Sequence, residues 1–98
     1  MAAEVGEECG VAAVSLQDES APMRLYRLLL DMQNRGQLSA GITTYNKKRP
    51  QIIDTHKEIG TVNEVFRTRH EGETEKIFSR YAGSMGIGHV RYATCGDE

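Results

Sequence analysis

Two adjacent segments rich in β-branched residues limit most strongly how this chain can fold. The first, residues 39–46 (SAGITTYN), and the second, residues 51–60 (QIIDTHKEIG), are separated only by the basic sequence KKRP. A connection this short joins antiparallel strands, because parallel strands need a crossover of a dozen or more residues. The pair therefore predicts a β-hairpin, argues against a wholly parallel sheet and favours the α+β class.

The other segments complete a β-α-β-β-α-α-β order. Residues 9–16 (CGVAAVSL) are a short apolar run, which predicts a buried strand, and residues 83–98 contain the last strand, entered through closely spaced glycines. Short helices are predicted at residues 61–66 and 74–83, with Thr61 and Thr74 as their N-caps and Gly83 as the stop of the second.

The longest helix is predicted between Ser20, as N-cap, and Gly36, which suits the left-handed C-cap conformation. Pro22 is tolerated in its first turn. One face carries apolar residues at helical spacing and is predicted to be buried: Leu25, Leu28, Leu29 and Met32.

Composition narrows the possible functions of these 98 residues, which suffice for one small domain. The net charge of −2, from 12 basic and 14 acidic residues, argues against a general nucleic-acid binder. Neither a signal peptide nor a membrane-spanning run is visible, which favours a cytoplasmic location where thiols stay reduced. A disulfide between Cys9 and Cys95 is therefore not expected. A zinc site is not expected either, because there is no CxxC motif and His56, His70 and His89 are scattered.

Three glycine-bearing clusters are candidates for chemistry: EECGV, NRGQLSAGI and GIGHVRYATCG. Taken singly, each has a structural interpretation. Cys9 is more readily a buried core thiol than a nucleophile, Arg35 suits a helix end, and Gly86 and Gly88 suit a bulge or turn. GSMGIG is not a phosphate-binding loop, since it lacks the lysine and is followed by a strand.

Arg91 interrupts the last strand. Alternation places it on the face opposite to Val90 and Tyr92, where a charge is either solvated or paired with the carboxylate of a ligand.

Taken together and in this order, the three clusters resemble the first part of a class II glutamine amidotransferase domain of the N-terminal-nucleophile hydrolase type. Within that superfamily they are most similar to the amidophosphoribosyltransferase family. Gln37 and Tyr92 stand where glucosamine-6-phosphate synthases typically have tyrosine and tryptophan. Two positions depart from the pattern: Asn34 replaces a usual histidine, and Leu38 replaces a usual acidic residue.

The resemblance implies that residues 1–8 are a propeptide and that residues 9–98 are the incomplete N-terminal portion of the amidotransferase domain. The implied fold is part of a four-layer αββα sandwich. Cleavage between Glu8 and Cys9 would free Cys9 as an N-terminal nucleophile. Arg35 and Gly36 would support that nucleophile, and Arg91 and Thr94 would bind glutamine.

The resemblance also implies features of the full-length family that lie outside this chain. Ammonia from glutamine would pass to phosphoribosyl pyrophosphate, held with Mg²⁺, to make phosphoribosylamine for purine biosynthesis. Some members carry a 4Fe–4S cluster, and the full-length protein is expected to be a homo-oligomer. No metal or cofactor is expected within this chain. The asparagine–glycine pair of the family's oxyanion hole does not occur in these 98 residues, so the fragment alone is expected to be inactive.

Two alternative functions remain open. The chain could be part of another class II amidotransferase, such as glucosamine-6-phosphate synthase or glutamate synthase. It could also be a non-catalytic remnant or binding module in which Cys9 is only a core thiol.

Overall fold

The computed structural model describes residues 9–33 and 36–92. Within these ranges the chain follows the predicted order of elements. The strands are β1 (Cys9–Ser15), β2 (Gln37–Tyr45), β3 (Ile53–Ile59) and β4 (Met85–Tyr92), and the helices are α1 (Ala21–Met32), α2 (Val62–Val65) and α3 (Glu73–Arg80).

The strands form one sheet in the order β1-β4-β2-β3. Every neighbouring pair is antiparallel, and β2 and β3 form the predicted hairpin. The α+β class is therefore confirmed. Strand β4, the last strand among the described residues, lies inside the sheet between β1 and β2 and brings the first and last clusters of the sequence side by side.

Helix α1 covers one face of the sheet. Leu25 and Leu29 are fully buried there, and each such side chain contributes about 1.5–3 kcal/mol by leaving water. Strand β4 lets the helix approach through glycines that face it: a Cβ at Gly88 would lie 3.3 Å from Leu29 Cδ1, and one at Gly86 would lie 3.0 Å from Leu25 Cδ1. These glycines are therefore regular strand positions rather than bulge or turn residues.

Two predictions about buried faces need correction. Leu28 was placed on the buried face of α1, but it is 39% exposed because only the Leu25–Leu29 side of the helix points at the sheet. Strand β1 was predicted to be buried throughout, but its residues alternate, with Val11 70% exposed. The reason is that helices cover only one face of the sheet.

The helix caps were predicted with mixed success. Thr61 caps α2 through a capping box with Glu64, as predicted. Thr74 does not cap α3, because the helix starts after Gly72 in the left-handed conformation, and the Thr74 hydroxyl donates to the Phe66 carbonyl instead.

The ends of α1 also differ in part from the prediction. Ser20 is its N-cap residue, but the Ser20 hydroxyl donates to Asp18 Oδ1 rather than accepting from the helix. That hydrogen bond is the main reason why the pKa of Asp18 is lowered. At the other end, α1 stops at Met32 with Gln33 in an extended conformation. Gly36 has the positive φ of +87° that was expected of it, but it lies beyond the helix.

The other face of the sheet carries no helix among the described residues, and we call it the open face. Large apolar side chains are exposed on each of its strands, at Val11, Ile87, Tyr45 and Ile53 among others. No helix in the described part of the chain is long and apolar enough to cross a membrane.

Candidate active site

The predicted nucleophile and the predicted carboxylate-binding arginine are direct neighbours on the open face. Cys9 of β1 pairs with Arg91 of β4, and Arg91 pairs on its other side with Ser39 of β2. Residues directly opposite on antiparallel strands have Cβ atoms about 4.5–5.5 Å apart. Cys9, Arg91, Ser39 and Ile59 therefore form one line across the sheet, which we call the first row.

The next line, the second row, consists of Val11, His89, Gly41 and Lys57. Gly41 has no room for a side chain: a Cβ there would lie 2.8 Å from His89 Cε1 and 2.5 Å from Lys57 Cβ. The His89 ring and the Lys57 stem therefore approach each other over the Gly41 backbone.

Local contacts hold the edge of the sheet next to the first row. The Gln37 amide donates to the carbonyls of Ser39, at 2.9 Å, and Gly60, at 2.7 Å. This ties β2 to the turn after β3. Leu38 is an extra residue in the β2–β4 pairing, between the Gln37 and Ser39 partners, and such bulges are common beside active sites. On the helix side, the Tyr92 hydroxyl donates to the Met32 carbonyl and joins β4 to α1.

The two rows favour an anionic group. They contain two cationic side chains, Arg91 and Lys57, and no carboxylate. Burial lowers the pKa of His89, and the positive charge of Lys57 lowers it further. His89 is therefore neutral near pH 7, so the positive charges on these rows are those of Lys57 and Arg91.

Cys9 is disulfide-bonded in the structure, against the expectation of a reduced thiol. The expectation depended on the redox compartment, which does not report whether two sulfur atoms are near each other in the fold. The other cysteine in the sequence, Cys95, lies outside the described residues. A bonded sulfur cannot act as a thiolate, so any nucleophilic role of Cys9 requires the reduced chain.

Three of the predicted site residues are described, and the structure brings two of them together. Cys9 and Arg91 are neighbours, and Gly36 directly precedes β2. The remaining predicted positions, Glu8, Arg35 and Thr94, lie outside the described residues.

Sequence reasoning did not assign a role to Gly41 or Lys57. A glycine inside a strand can mark a close approach by another group, so Gly41 carried a signal within SAGI. Lys57 carried none, because nothing local indicates that β3 presents it beside β4.

The chain is similar in sequence to several known proteins. No established protein-family profile matches the chain. It is 38% identical over 97 residues to the amidophosphoribosyltransferase of Methanothermobacter thermautotrophicus, which covers 97% of this chain and 18% of that relative. It is 37% identical over 97 residues to the amidophosphoribosyltransferase of Homo sapiens, which covers 94% of this chain and 18% of that one. The Bacillus subtilis amidophosphoribosyltransferase is 39% identical over 92 residues, covering 94% and 17%.

A solved structure agrees with these relatives. The glutamine phosphoribosylpyrophosphate amidotransferase from B. subtilis, complexed with ADP and GMP, matches 86% of this chain and 16% of its own, with a TM-score of 0.65 and 37% identity. The fold is thus that of the α+β segment which this chain shares with the B. subtilis enzyme. In sequence and structure, the chain is a relative of the amidophosphoribosyltransferases, which confirms the resemblance predicted from the three clusters. It spans 17–18% of the length of the three curated relatives named above.

Proposed function

We propose that this chain supplies the nucleophile and the carboxylate-binding arginine of a glutamine-hydrolysing site. The observation that supports the proposal most strongly is the pairing of Cys9 with Arg91 on the open face. One reacting sulfur and one planar cation on adjacent strands suit an amino acid whose side-chain amide and α-carboxylate are a few bonds apart.

The proposed chemistry requires Cys9 to be the first residue of the mature chain. Its free α-amine, with a pKa of about 7.7–8.0, then takes the thiol proton. The thiolate attacks the side-chain carboxamide of glutamine, and the C–N bond breaks. The amine returns its proton to the leaving nitrogen, which departs as ammonia and leaves a γ-glutamyl thioester. Water hydrolyses the thioester to glutamate and restores the thiol. An amide-linked Cys9 lacks this base, so removal of residues 1–8 is the proposed activating step.

The predicted partners of Cys9 have specific roles in this scheme. Arg91 would hold the α-carboxylate of glutamine in a two-point fork, and Thr94 would add a hydrogen bond to it. Arg35 and Gly36 would lie beside the nucleophile, Arg35 ordering the thiolate and Gly36 allowing close backbone approach.

For the full-length protein, we propose transfer of the ammonia to phosphoribosyl pyrophosphate, giving phosphoribosylamine and pyrophosphate in purine biosynthesis, with a cytoplasmic location and a homo-oligomeric assembly. Among the described residues no group of three histidine, cysteine or acidic side chains has the geometry to hold a metal ion. These residues therefore offer no ligand set for a 4Fe–4S cluster, and no step here passes through a metal.

The test is labelling of Cys9 by an electrophilic glutamine analogue, in the reduced chain prepared with Cys9 as its first residue and in the chain as encoded. Peptide mass spectrometry would follow Cys9 and Cys95 separately, so that Cys95 serves as an internal control. In the chain that begins at Cys9, we expect Cys9 to be labelled faster than Cys95 and faster than Cys9 in the chain as encoded. Excess glutamine should slow this labelling, and Arg91→Ala should need a much higher reagent concentration to reach it. Equal labelling of both cysteines without protection by glutamine would contradict the proposal.

A second candidate function has one observation in its favour. The disulfide bond of Cys9 also suits a binding module in which this residue is structural. In that case, reduction would lower the free energy of unfolding by about 2–5 kcal/mol and would give no selective, glutamine-protected labelling of Cys9.

A further inference from the structure

His89 is a titratable group beside the site that the proposed chemistry does not use. It lies two residues before Arg91 on the same face of β4, and its strand partners are Val11 and Gly41. It is half-buried, whereas Arg91 is exposed. The imidazole and the guanidinium therefore stand next to each other along one strand, in the second and first rows respectively.

Gly41 determines where the imidazole lies. The space that a Cβ of residue 41 would take is filled by His89 Cε1, 2.8 Å away, and by Lys57 Cβ, 2.5 Å away. The ring thus crosses from β4 over the backbone of β2 and fills the middle of the second row. The Arg91 side chain cannot occupy the volume that the His89 ring fills. It is therefore confined to the first row, which contains Cys9 and Ser39.

The charge of the ring suits this arrangement. Among the described residues, the charged groups on this face beside His89 are Arg91, on β4 itself, and Lys57 on β3, while the disulfide-bonded Cys9 of β1 does not titrate. A neutral imidazole between two cations does not repel the guanidinium and does not compete with it for a carboxylate.

We propose that His89 is a positioning residue for the glutamine site: packed over Gly41, its ring keeps Arg91 in the row of Cys9, where the carboxylate fork is needed. The inference depends on the proposed function, because it assigns to Arg91 the binding of a carboxylate. It does not make His89 a catalytic residue, since the ring acts through Arg91.

The experiment measures labelling of Cys9 by the electrophilic glutamine analogue as a function of reagent concentration. This separates the half-saturating concentration, which reports binding, from the maximal rate, which reports the reactivity of the thiol. The variants are His89→Ala, which removes the ring from the second row, His89→Gln, which keeps a neutral polar group of similar reach, and Gly41→Ala, whose methyl group overlaps with both the ring and the Lys57 stem. Thr55→Ala is the matched control, because Thr55 is exposed on the same face two strands away from β4.

For His89→Ala and Gly41→Ala we expect the half-saturating concentration to rise about 10- to 100-fold, the size of effect that misplacement of a binding group produces. The maximal rate should stay within about twofold in both, since Cys9 is untouched. His89→Gln should recover most of the loss, and Thr55→Ala should match the unsubstituted chain. Circular dichroism would establish that each variant is folded. If Gly41→Ala does not fold, the comparison of His89→Ala with His89→Gln still tests whether the side chain at position 89 positions Arg91.

Three results would overturn the inference: an unchanged half-saturating concentration in His89→Ala, a loss confined to the maximal rate, or the same rise in Thr55→Ala. Failure of the proposed function would look different. In that case the unsubstituted chain itself would show no glutamine-protected labelling of Cys9.

Discussion

At Gly41, the absence of one side chain determines the position of two others. A methyl group there would overlap with both the His89 ring and the Lys57 stem, and neither contact is between neighbours in sequence. Arg49 lies in the predicted basic turn between β2 and β3. Its guanidinium donates to the carbonyls of Thr44, at 2.9 Å, Ile52, at 3.1 Å, and the more distant Ala82, at 3.1 Å.

The pKa of His89 gives a first prediction at the scale of single residues. It should lie below the usual value of about 6.5, because burial disfavours the charged ring and Lys57 adds repulsion. Lys57→Met should raise the pKa only part of the way, since burial is the larger cause. An NMR titration of the imidazole resonances in both chains measures this. An unchanged pKa in Lys57→Met would show that the two side chains do not interact.

Stability should follow the same protonation. Between the lowered pKa of folded His89 and about 6.5, the unfolded chain binds more protons at this position than the folded chain. The contribution of the neutral His89 ring to the free energy of unfolding is therefore complete above about pH 6.5. It is lost as the pH falls from there through the lowered pKa of the folded state. Urea unfolding at several pH values, in the unsubstituted chain and in His89→Gln, isolates the contribution. The two chains should differ in their pH dependence only in this window.

Arg49 supports a prediction about stability. Arg49→Ala should lower the free energy of unfolding by about 1–3 kcal/mol, because several carbonyls around the hairpin turn lose a charged donor. Arg49→Lys should not restore it, since an ammonium lacks the planar fork that reaches β2 and residue 82 together. Lys47→Ala, an exposed change in the same turn, is the control and should stay within about 0.5 kcal/mol. Urea unfolding measures all three.

At the scale of elements, α1 offers an internal comparison. Leu29 is fully buried and Leu28 is 39% exposed, although both belong to the apolar pattern of the sequence. Leu29→Ala should lower the free energy of unfolding by about 2–5 kcal/mol. The reason is that Leu29 packs against Gly88, which has no side chain to fill the cavity that the substitution creates. Leu28→Ala should cost clearly less. Equal losses in urea unfolding would mean that the helix buries a wider face than the structure shows.

The same helix shows what sequence periodicity can and cannot predict. Helical spacing identified the face that packs on the sheet, since Leu25 and Leu29 are buried. It included Leu28 because a pattern of apolar residues does not report how wide the covering surface is. The short helices make the same point about caps: Thr61 has its partner Glu64 within the motif, whereas the start of α3 depends on the backbone of Gly72.

The arrangement of the strands was only partly predictable. The hairpin of β2 and β3 follows from its short turn, but the insertion of β4 between β1 and β2 depends on tertiary packing. No local signal in the sequence pairs Cys9 with Arg91, which are 82 positions apart by their numbers. The resemblance to a known domain linked the two clusters, and the sheet order now gives the physical reason why they meet.

At the scale of the whole molecule, the two faces of the sheet differ in how far they are covered. The helix side is closed, while the open face carries Val11, Ile87 and Ile53 at 54–70% exposure. At the end away from Cys9, a shallow apolar depression of about 370 Å³ is lined by side chains from all four strands. Contiguous exposed apolar surface of this kind marks an interaction site or an aggregation hazard. It fits the partial sandwich that the resemblance implies, in which a second layer would cover this face.

This asymmetry predicts how the 98-residue chain behaves in solution. The open face should bind the dye 1-anilinonaphthalene-8-sulfonate and promote self-association at high concentration, because burying apolar surface is favourable. Ile87→Thr should reduce both effects while keeping a β-branched residue in β4. Ile52→Thr is the matched control, since Ile52 is 45% exposed but precedes β3 in the hairpin turn. Dye fluorescence and sedimentation velocity measure the two effects, and an equal reduction in Ile52→Thr would show that general surface hydrophobicity, rather than the open face, is responsible.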